Sequence, residues 1–224
     1  MTVKWLGQAG LLFENENIKI LIDPYLSDSL SELDPVKARR VPVLESLFDI
    51  KPDAVVFTHN HRDHYDPETA VRFIRAETDV TVLAPTSVWE EVRKIGGANN
   101  FVLFNALSRW TENGVKFTAV PAEHSDPYAI GVIIDDGKKI YYVTGDTLYN
   151  ERIFKELPND IYAVFLPVNG VGNNMNMTDA KEFCERIKPE IAVPVHCGLL
   201  DDIDMNMFNY KAKVVPEIYK IIEV

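Results

Sequence analysis

Residues 58–64 are the most informative stretch of this sequence, and they read Thr58-His59-Asn60-His61-Arg62-Asp63-His64. The stretch closes an apolar run, Ala54–Thr58, and it holds three of the five histidines in the chain. Imidazoles and carboxylates are the usual ligands of zinc and its neighbours, and a single turn can hold four of them close together. The stretch therefore predicts a metal-binding turn at the end of a buried strand.

Further polar residues follow other apolar runs along the chain. These runs are Ile18–Ile22, Val115–Val120, Lys139–Thr144 and Ile191–Val195, and the residues that follow them are Asp23, His124, Asp146 and His196. Loops at the carboxyl ends of strands gather in one cleft, so we expect these side chains to join the histidine stretch.

The rest of the pattern mixes hairpins with β-α-β units. Short β-type runs occur at Val3–Leu6, Leu11–Glu14, Val80–Ala84, Phe101–Phe104, Ala129–Ile134 and Tyr162–Pro167, with a last one in Pro216–Val224. Helices are predicted from Pro67, over Ser87–Ile95, near Glu151–Glu156, and after Thr178 as N-cap. The pattern predicts one α/β (α+β) domain over residues 1–224, with two sheets and helices on their outer faces.

Composition excludes several classes of protein. The 224 residues carry 23 basic and 34 acidic side chains, a net charge of −11, and no basic cluster, which argues against nucleic-acid binding. No apolar run is long enough to span a membrane, and no signal peptide is expected. Two cysteines, Cys184 and Cys197, favour a reducing cytoplasm. The polar stretch Ser27–Arg40 is predicted to be a surface loop or a lid over the site.

The order of these motifs resembles that of the metallo-β-lactamase superfamily. The resemblance covers nearly the whole chain and implies a four-layer αββα sandwich with two divalent metal ions at one edge. It implies that one ion is held by His59, His61 and His124 and the other by Asp63, His64 and His196, with Asp146 bridging and Asp23 orienting a ligand histidine.

Within the superfamily, the L-ascorbate-6-phosphate lactonase (UlaG-like) branch is the most similar. The similar segments are Trp5–Gly10, Asp23-Pro24, His124-Ser125-Asp126 and the block from Met177 to His196. This resemblance implies a hydrolase whose metal-bridging hydroxide attacks a small, anionic, phosphorylated ester or lactone. Asp63, Asp146 and His196 are the expected catalytic residues, and the ions would be zinc or manganese, with iron also allowed by the ligands.

Four residues are candidate substrate contacts. Arg62 is a candidate anion contact or an exposed arginine, and Tyr25 either lines the cleft or packs. Asn169 and Asn174 belong to an amide-rich loop, Val168–Met177, that precedes a helix and suits anion binding.

Two other activities fit the same motifs. A phosphodiesterase is the main alternative, and a mononuclear iron dioxygenase is the second. The expected partner is a small-molecule substrate, and a homo-oligomer is compatible with the sequence.

Overall fold

The computed structural model describes every residue from Met1 to Val224. The first six strands are β1 (Thr2–Gly7), β2 (Gly10–Glu14), β3 (Lys19–Ile22), β4 (Ala54–Val56), β5 (Thr81–Ala84) and β6 (Asn100–Leu103). They are followed by β7 (Arg109–Glu112), β8 (Val115–Pro121), β9 (Ile130–Asp135), β10 (Ile140–Val143), β11 (Ile161–Pro167), β12 (Ile191–Val195) and β13 (Ile221–Ile222). The α-helices are α1 (Ser29–Leu33), α2 (Pro67–Phe73), α3 (Thr86–Val92) and α4 (Met177–Ile187).

The strands form two sheets. The first has the order β13-β1-β2-β3-β4-β5-β6, and the second has the order β12-β11-β10-β9-β8-β7. Strands β3 to β6 run parallel, as do β10 to β12, whereas β8, β9 and β10 alternate in direction. Consequently β8, β10, β11 and β12 all end at the same edge of the second sheet.

Three apolar layers hold these elements together, since alternate side chains of a strand point to opposite faces of its sheet. Between the sheets, Phe13 packs edge-on against Tyr141 and Phe165. Outside the first sheet, α2 and α3 bury apolar side chains, among them Phe73 and Val88. Outside the second sheet, α4 buries Ala180, Phe183 and Cys184. The predicted αββα sandwich is confirmed.

Several element predictions need correction. Helix α4 is capped by Asn176 rather than Thr178, because the Asn176 side chain accepts from the amides of both Thr178 and Asp179. The segment Glu151–Glu156 is a 3₁₀ helix, and the last run of the chain forms strand only at Ile221–Ile222.

Two further elements were absent from the prediction. Strand β7 pairs with β8 through the turn at Asn113 and Gly114, whose φ angles are +46° and +82°. The stretch Ser27–Arg40 contains α1 and a 3₁₀ turn at Pro35–Lys37. No helix combines the length and the apolar composition needed to cross a membrane.

Candidate metal centre

Seven histidine and aspartate side chains from both sheets meet at one edge of the sandwich. They form two groups, and within each group the candidate ligand atoms lie within 4.8 Å of one another. The first group is His59, His61, His124 and Asp146, and the second is Asp63, His64 and His196. The loop after β4 supplies four of the seven, and the ends of β8, β10 and β12 supply the others. The structure thus brings together all seven residues that the sequence nominated.

The Asp146 carboxylate lies between the two groups. Its Oδ2 is 4.0 Å from Nε2 of both His59 and His124. Its Oδ1 is 3.2 Å from Nε2 of both His64 and His196. Each carboxylate oxygen therefore faces a different pair of imidazoles, which is the arrangement that a bridging ligand requires.

One buried atom gives a direct test of whether these residues suit a metal ion. His59 is fully buried, and its Nε2 has no hydrogen-bond partner although it faces Asp146. An unpaired buried polar atom costs about 1–3 kcal/mol, so native proteins keep few of them. A divalent ion bound by this nitrogen and its neighbours would satisfy it, and the imidazole and carboxylate donors are of the type that zinc and manganese accept.

Asp23 and Thr58 fix the orientation of His64. The His64 Nδ1–H donates to Asp23 Oδ2 at 2.7 Å, which turns Nε2 toward the cluster. Asp23 in turn accepts from the backbone amide of Thr58 at 2.8 Å and from its hydroxyl at 2.5 Å. Such outer hydrogen bonds set the tautomer and the basicity of a ligand histidine. Asp23 is the residue for which the sequence resemblance implied this orienting role, and its contact with His64 supports that prediction.

The turn that carries Asp146 requires glycine at position 145, immediately before the aspartate. Gly145 has a φ of +59°, and a Cβ there would lie 2.8 Å from the Ile130 carbonyl oxygen. Asn174 Nδ2 donates to Asp146 Oδ2 at 2.8 Å, and Asn174 is 4% exposed. Asn174, predicted as a substrate contact, therefore orients the Asp146 carboxylate by a hydrogen bond and does not line the cavity.

Burial and charge pull the imidazole pKa values in opposite directions. Burial lowers the pKa of His59 well below its usual value. Burial also acts to lower the pKa of His64 and His196, but the carboxylates of Asp146, Asp63 and, for His64, Asp23 outweigh it. The pKa of His64 is thus raised well above its usual value, and that of His196 to about 10.

The carboxylates show the reverse effect. Burial acts to raise the pKa of Asp63 and Asp146, but the positive charges of His64 and His196 outweigh it and lower both pKa values. Both aspartates are therefore ionised at neutral pH, as metal ligands must be.

A cavity of about 310 Å³ opens over the cluster. Its floor includes His61, Asp63, Asp146 and His196, and its walls include Leu30, Val171 and Leu200. Asn169 lines it, with Nδ2 lying 3.1 Å from His196 Nδ1. The lining also includes Lys37, which lies in the Ser27–Arg40 segment and which the sequence prediction missed.

The other two predicted substrate contacts lie elsewhere. Arg62 is exposed, and it does not line the cavity although its neighbours His61 and Asp63 do. Tyr25 is fully buried, where its hydroxyl accepts from the Leu30 amide at 3.3 Å. Tyr25 thus packs beneath the segment that carries Lys37.

Gln8 is a further site residue that sequence reasoning did not nominate. Its Nε2 donates to Asp63 Oδ2 at 2.9 Å, and it lines the cavity. The available signal was the turn Gly7-Gln8-Ala9-Gly10, whose small neighbours leave room for one long polar side chain near the cleft.

The chain matches the family model described as the beta-lactamase superfamily domain over residues 19–197. A UPF0173 metal-dependent hydrolase of Thermoplasma acidophilum is 30% identical, with 100% of this chain and 99% of that protein covered.

Solved structures share the fold at lower identity. A possible metal-dependent hydrolase from Veillonella parvula superposes with a TM-score of 0.82 at 19% identity, covering 100% of this chain and 99% of that one. Igni18, a metallo hydrolase from Ignicoccus hospitalis, superposes with a TM-score of 0.77 at 22% identity, covering 98% of this chain and 96% of that one.

Proposed function

This chain belongs to the β-lactamase superfamily, and we propose that it is a metal-dependent hydrolase that opens an ester or lactone bond in a small, anionic, phosphorylated substrate. Two divalent ions, zinc or manganese, are its proposed cofactors. The observation that carries the proposal is the Asp146 carboxylate, whose two oxygens face two separate sets of imidazoles. A structural metal site has no need of a second ion or of an open cavity.

The ions would be held by the seven residues of the cluster, with Asp146 shared between them. When bound, divalent ions lower the pKa of a coordinated water to about 7 and polarise the bond under attack. The chain's own contribution is to gather these donors at one edge of the sandwich and to keep Asp63 and Asp146 ionised.

Asp63 is the carboxylate best placed to pass a proton to or from the cavity. Its side chain is 18% exposed, whereas that of Asp146 is 5% exposed and held by Asn174. His196 Nε2 lies 3.1 Å from Asp63 Oδ2, so the two form a pair at the cavity floor. We therefore assign proton transfer to Asp63 in addition to its share in holding an ion, and we assign Asp146 and His196 to binding the ions.

The presence of Lys37 in the cavity lining is the reason for proposing an anionic substrate. Lys37 is exposed, it lines the cavity, and no carboxylate of the chain pairs with it. The neighbouring cations are already engaged: Arg40 pairs with Asp202, and Arg39 donates to the Tyr25 carbonyl at 2.7 Å. Apolar walls at Leu30, Val171 and Leu200 suit a short carbon body between the reacting bond and the anionic end.

The test is a substrate panel with a metal-ligand variant. Metal-loaded protein is assayed on a phosphorylated lactone, a neutral lactone and bis-p-nitrophenyl phosphate, and we expect the phosphorylated lactone to react fastest. Asp146→Asn should lose both bound metal and hydrolysis. Asp53→Asn is the matched control, because Asp53 accepts from the Lys19 amide far from the cluster.

Two outcomes would contradict the proposal. Wild-type rates in metal-free protein, or in Asp146→Asn, would refute metal-dependent hydrolysis. Faster cleavage of bis-p-nitrophenyl phosphate than of either lactone would instead make the protein a phosphodiesterase.

A further inference from the structure

His61 presents a different ring nitrogen to the metal cluster than the neighbouring imidazoles do. Its Nδ1 lies 3.2 Å from His124 Nε2, which is another candidate ligand atom. His64 and His196 instead direct Nε2 toward Asp146 Oδ1, at 3.2 Å in each case. The Nδ1 atom of His61 is therefore its candidate ligand atom, and its Nε2 is left for a contact outside the cluster.

The Ser125 hydroxyl makes that outside contact. Ser125 Oγ lies 3.1 Å from His61 Nε2, and the hydroxyl has no other hydrogen bond within the chain. Apart from His124, which is itself a candidate ligand, Ser125 is the only hydrogen-bond partner of the His61 ring. Ser125 is therefore the one side chain outside the cluster that can orient His61.

The chemistry of imidazole gives this contact a direction. A neutral imidazole has one N–H group and one bare nitrogen, and the bare nitrogen is the one that binds a metal ion. With Nδ1 as the ligand atom of His61, Nε2 carries the proton, and a serine oxygen accepts such a hydrogen bond. The Ser125 contact thus corresponds to the contact of Asp23 with His64, with the two ring nitrogens exchanged.

Ser125 is exposed, and the next residue in the chain holds it beside the histidine turn. The Asp126 carboxylate is buried, and it accepts from the Asn60 amide at 3.1 Å and from the Ser87 hydroxyl at 2.5 Å. Asn60 directly precedes His61, so the Asp126 carboxylate ties the loop after β8 to the backbone of the histidine turn. The Ser125 hydroxyl is placed next to the His61 ring as a result.

We propose that Ser125 is a positioning residue for the metal ion held by His59, His61 and His124. Its hydroxyl oxygen accepts from the His61 Nε2–H group, which keeps Nδ1 free for the ion and fixes the orientation of the ring. This inference rests on the metal-binding part of the proposed function and not on its substrate.

The effect of Ser125 is confined to one of the two metal positions. Ser125 makes no hydrogen bond to the second group, in which Asp23 orients His64. Loss of the Ser125 hydroxyl should therefore weaken the binding of one ion and leave the other unchanged. A general loosening of the site would weaken both, so the two explanations give different results.

The test is a metal titration that does not depend on hydrolysis. Metal-free wild type, Ser125→Ala and Ser125→Thr are titrated with Zn²⁺ by calorimetry, in competition with a chelator that brings both affinities into range. We expect Ser125→Ala to weaken one Zn²⁺ affinity by about fivefold and the other by less than about twofold, because a single exposed hydrogen bond contributes modestly. Ser125→Thr keeps the hydroxyl and should restore the affinity of wild type.

Ser46→Ala is the matched control, because Ser46 is an exposed serine outside the cluster. Unchanged Zn²⁺ affinities in Ser125→Ala would overturn the proposal. An equal loss at both positions, or a loss that threonine does not restore, would also overturn it. Failure of the proposed function is distinct, since wild type itself would then bind no metal or hydrolyse nothing.

Discussion

His64 and His196 both lie beside the carboxylates of Asp63 and Asp146. These contacts set the protonation state of the two histidines in the metal-free protein. The raised pKa values of both histidines mean that each carries a proton at pH 7 in the absence of metal. His59 is neutral under the same conditions, because burial lowers its pKa. In the metal-free protein, these two protonated histidines supply the positive charge beside Asp63 and Asp146.

We predict that metal binding at pH 7 releases protons from these two histidines. A metal ligand imidazole must be neutral, so the affinity should rise with pH until the histidine pKa, about 10 for His196, is reached. Each released proton makes the affinity change by about tenfold per pH unit. Calorimetric titration in two buffers of different ionisation enthalpy measures the release. A heat of binding that is the same in both buffers would contradict the prediction.

Lys37 gives a second prediction at the scale of one residue. Lys37→Met should raise KM for an anionic substrate by about fivefold, because a solvent-exposed charge contact contributes modestly. The kcat for this substrate and the KM for a neutral analogue should stay unchanged. Lys37→Arg should restore the anionic KM, and Arg40→Met, which removes a cation already paired with Asp202, is the control. An equal rise in KM for neutral and anionic substrates would contradict the assignment.

Helix α4 connects the amide-rich loop to the second sheet, and its first turn can be tested directly. Asn176→Ala should lower the free energy of unfolding by about 1 kcal/mol, since it removes an acceptor for two helix amides. Thr178→Ala should change it by less than about 0.5 kcal/mol, because Thr178 is exposed and caps nothing. Urea denaturation of both variants measures the difference. The reverse order of the two costs would support the sequence-based N-cap.

At the element scale, local patterns predicted most of the sandwich. Strand β4 and its histidine turn were recognisable because apolar residues run directly into the ligands. The cap of α4 was misplaced since Asn176 and Thr178 are both good N-caps and only the backbone geometry separates them. Strand β7 was missed although the Asn113-Gly114 turn was present, because three of its four residues are polar and the strand lies at the edge of its sheet.

Contacts between distant segments could not be predicted in the same way. Gln8 and Asp63 are 55 residues apart, and their hydrogen bond depends on how β1 and β4 are ordered in the first sheet. Lys37 reaches the cavity only because Tyr25 and Asp66 hold its segment down, through the Leu30 amide and the Ser29 hydroxyl. Neither packing contact has a local signature. The candidate metal ligands were predictable because the chemistry of such a site restricts them to a few residue types.

At the scale of the whole molecule, the cluster of seven histidine and aspartate side chains draws on both sheets. The first sheet supplies His59, His61, Asp63 and His64, and the second supplies His124, Asp146 and His196. The apolar layer between the sheets is extensive and does not include these residues, so the fold should survive without metal. Bound ions would nevertheless add cross-links that only the folded state can make.

We therefore predict that metal raises the melting temperature without being required for folding. An ion at about 100 times its Kd stabilises the folded state by about 2.7 kcal/mol. For a chain of this size, each kcal/mol corresponds to about 2–4 °C, so a shift of about 5–10 °C is expected. Thermal denaturation with added Mn²⁺ or Zn²⁺, compared with a chelator, measures it, and far-ultraviolet circular dichroism should show a folded chelated protein. Asp146→Asn should show a much smaller shift because it lacks the shared ligand. Equal shifts in both proteins would mean that the stabilising ion binds outside the cluster.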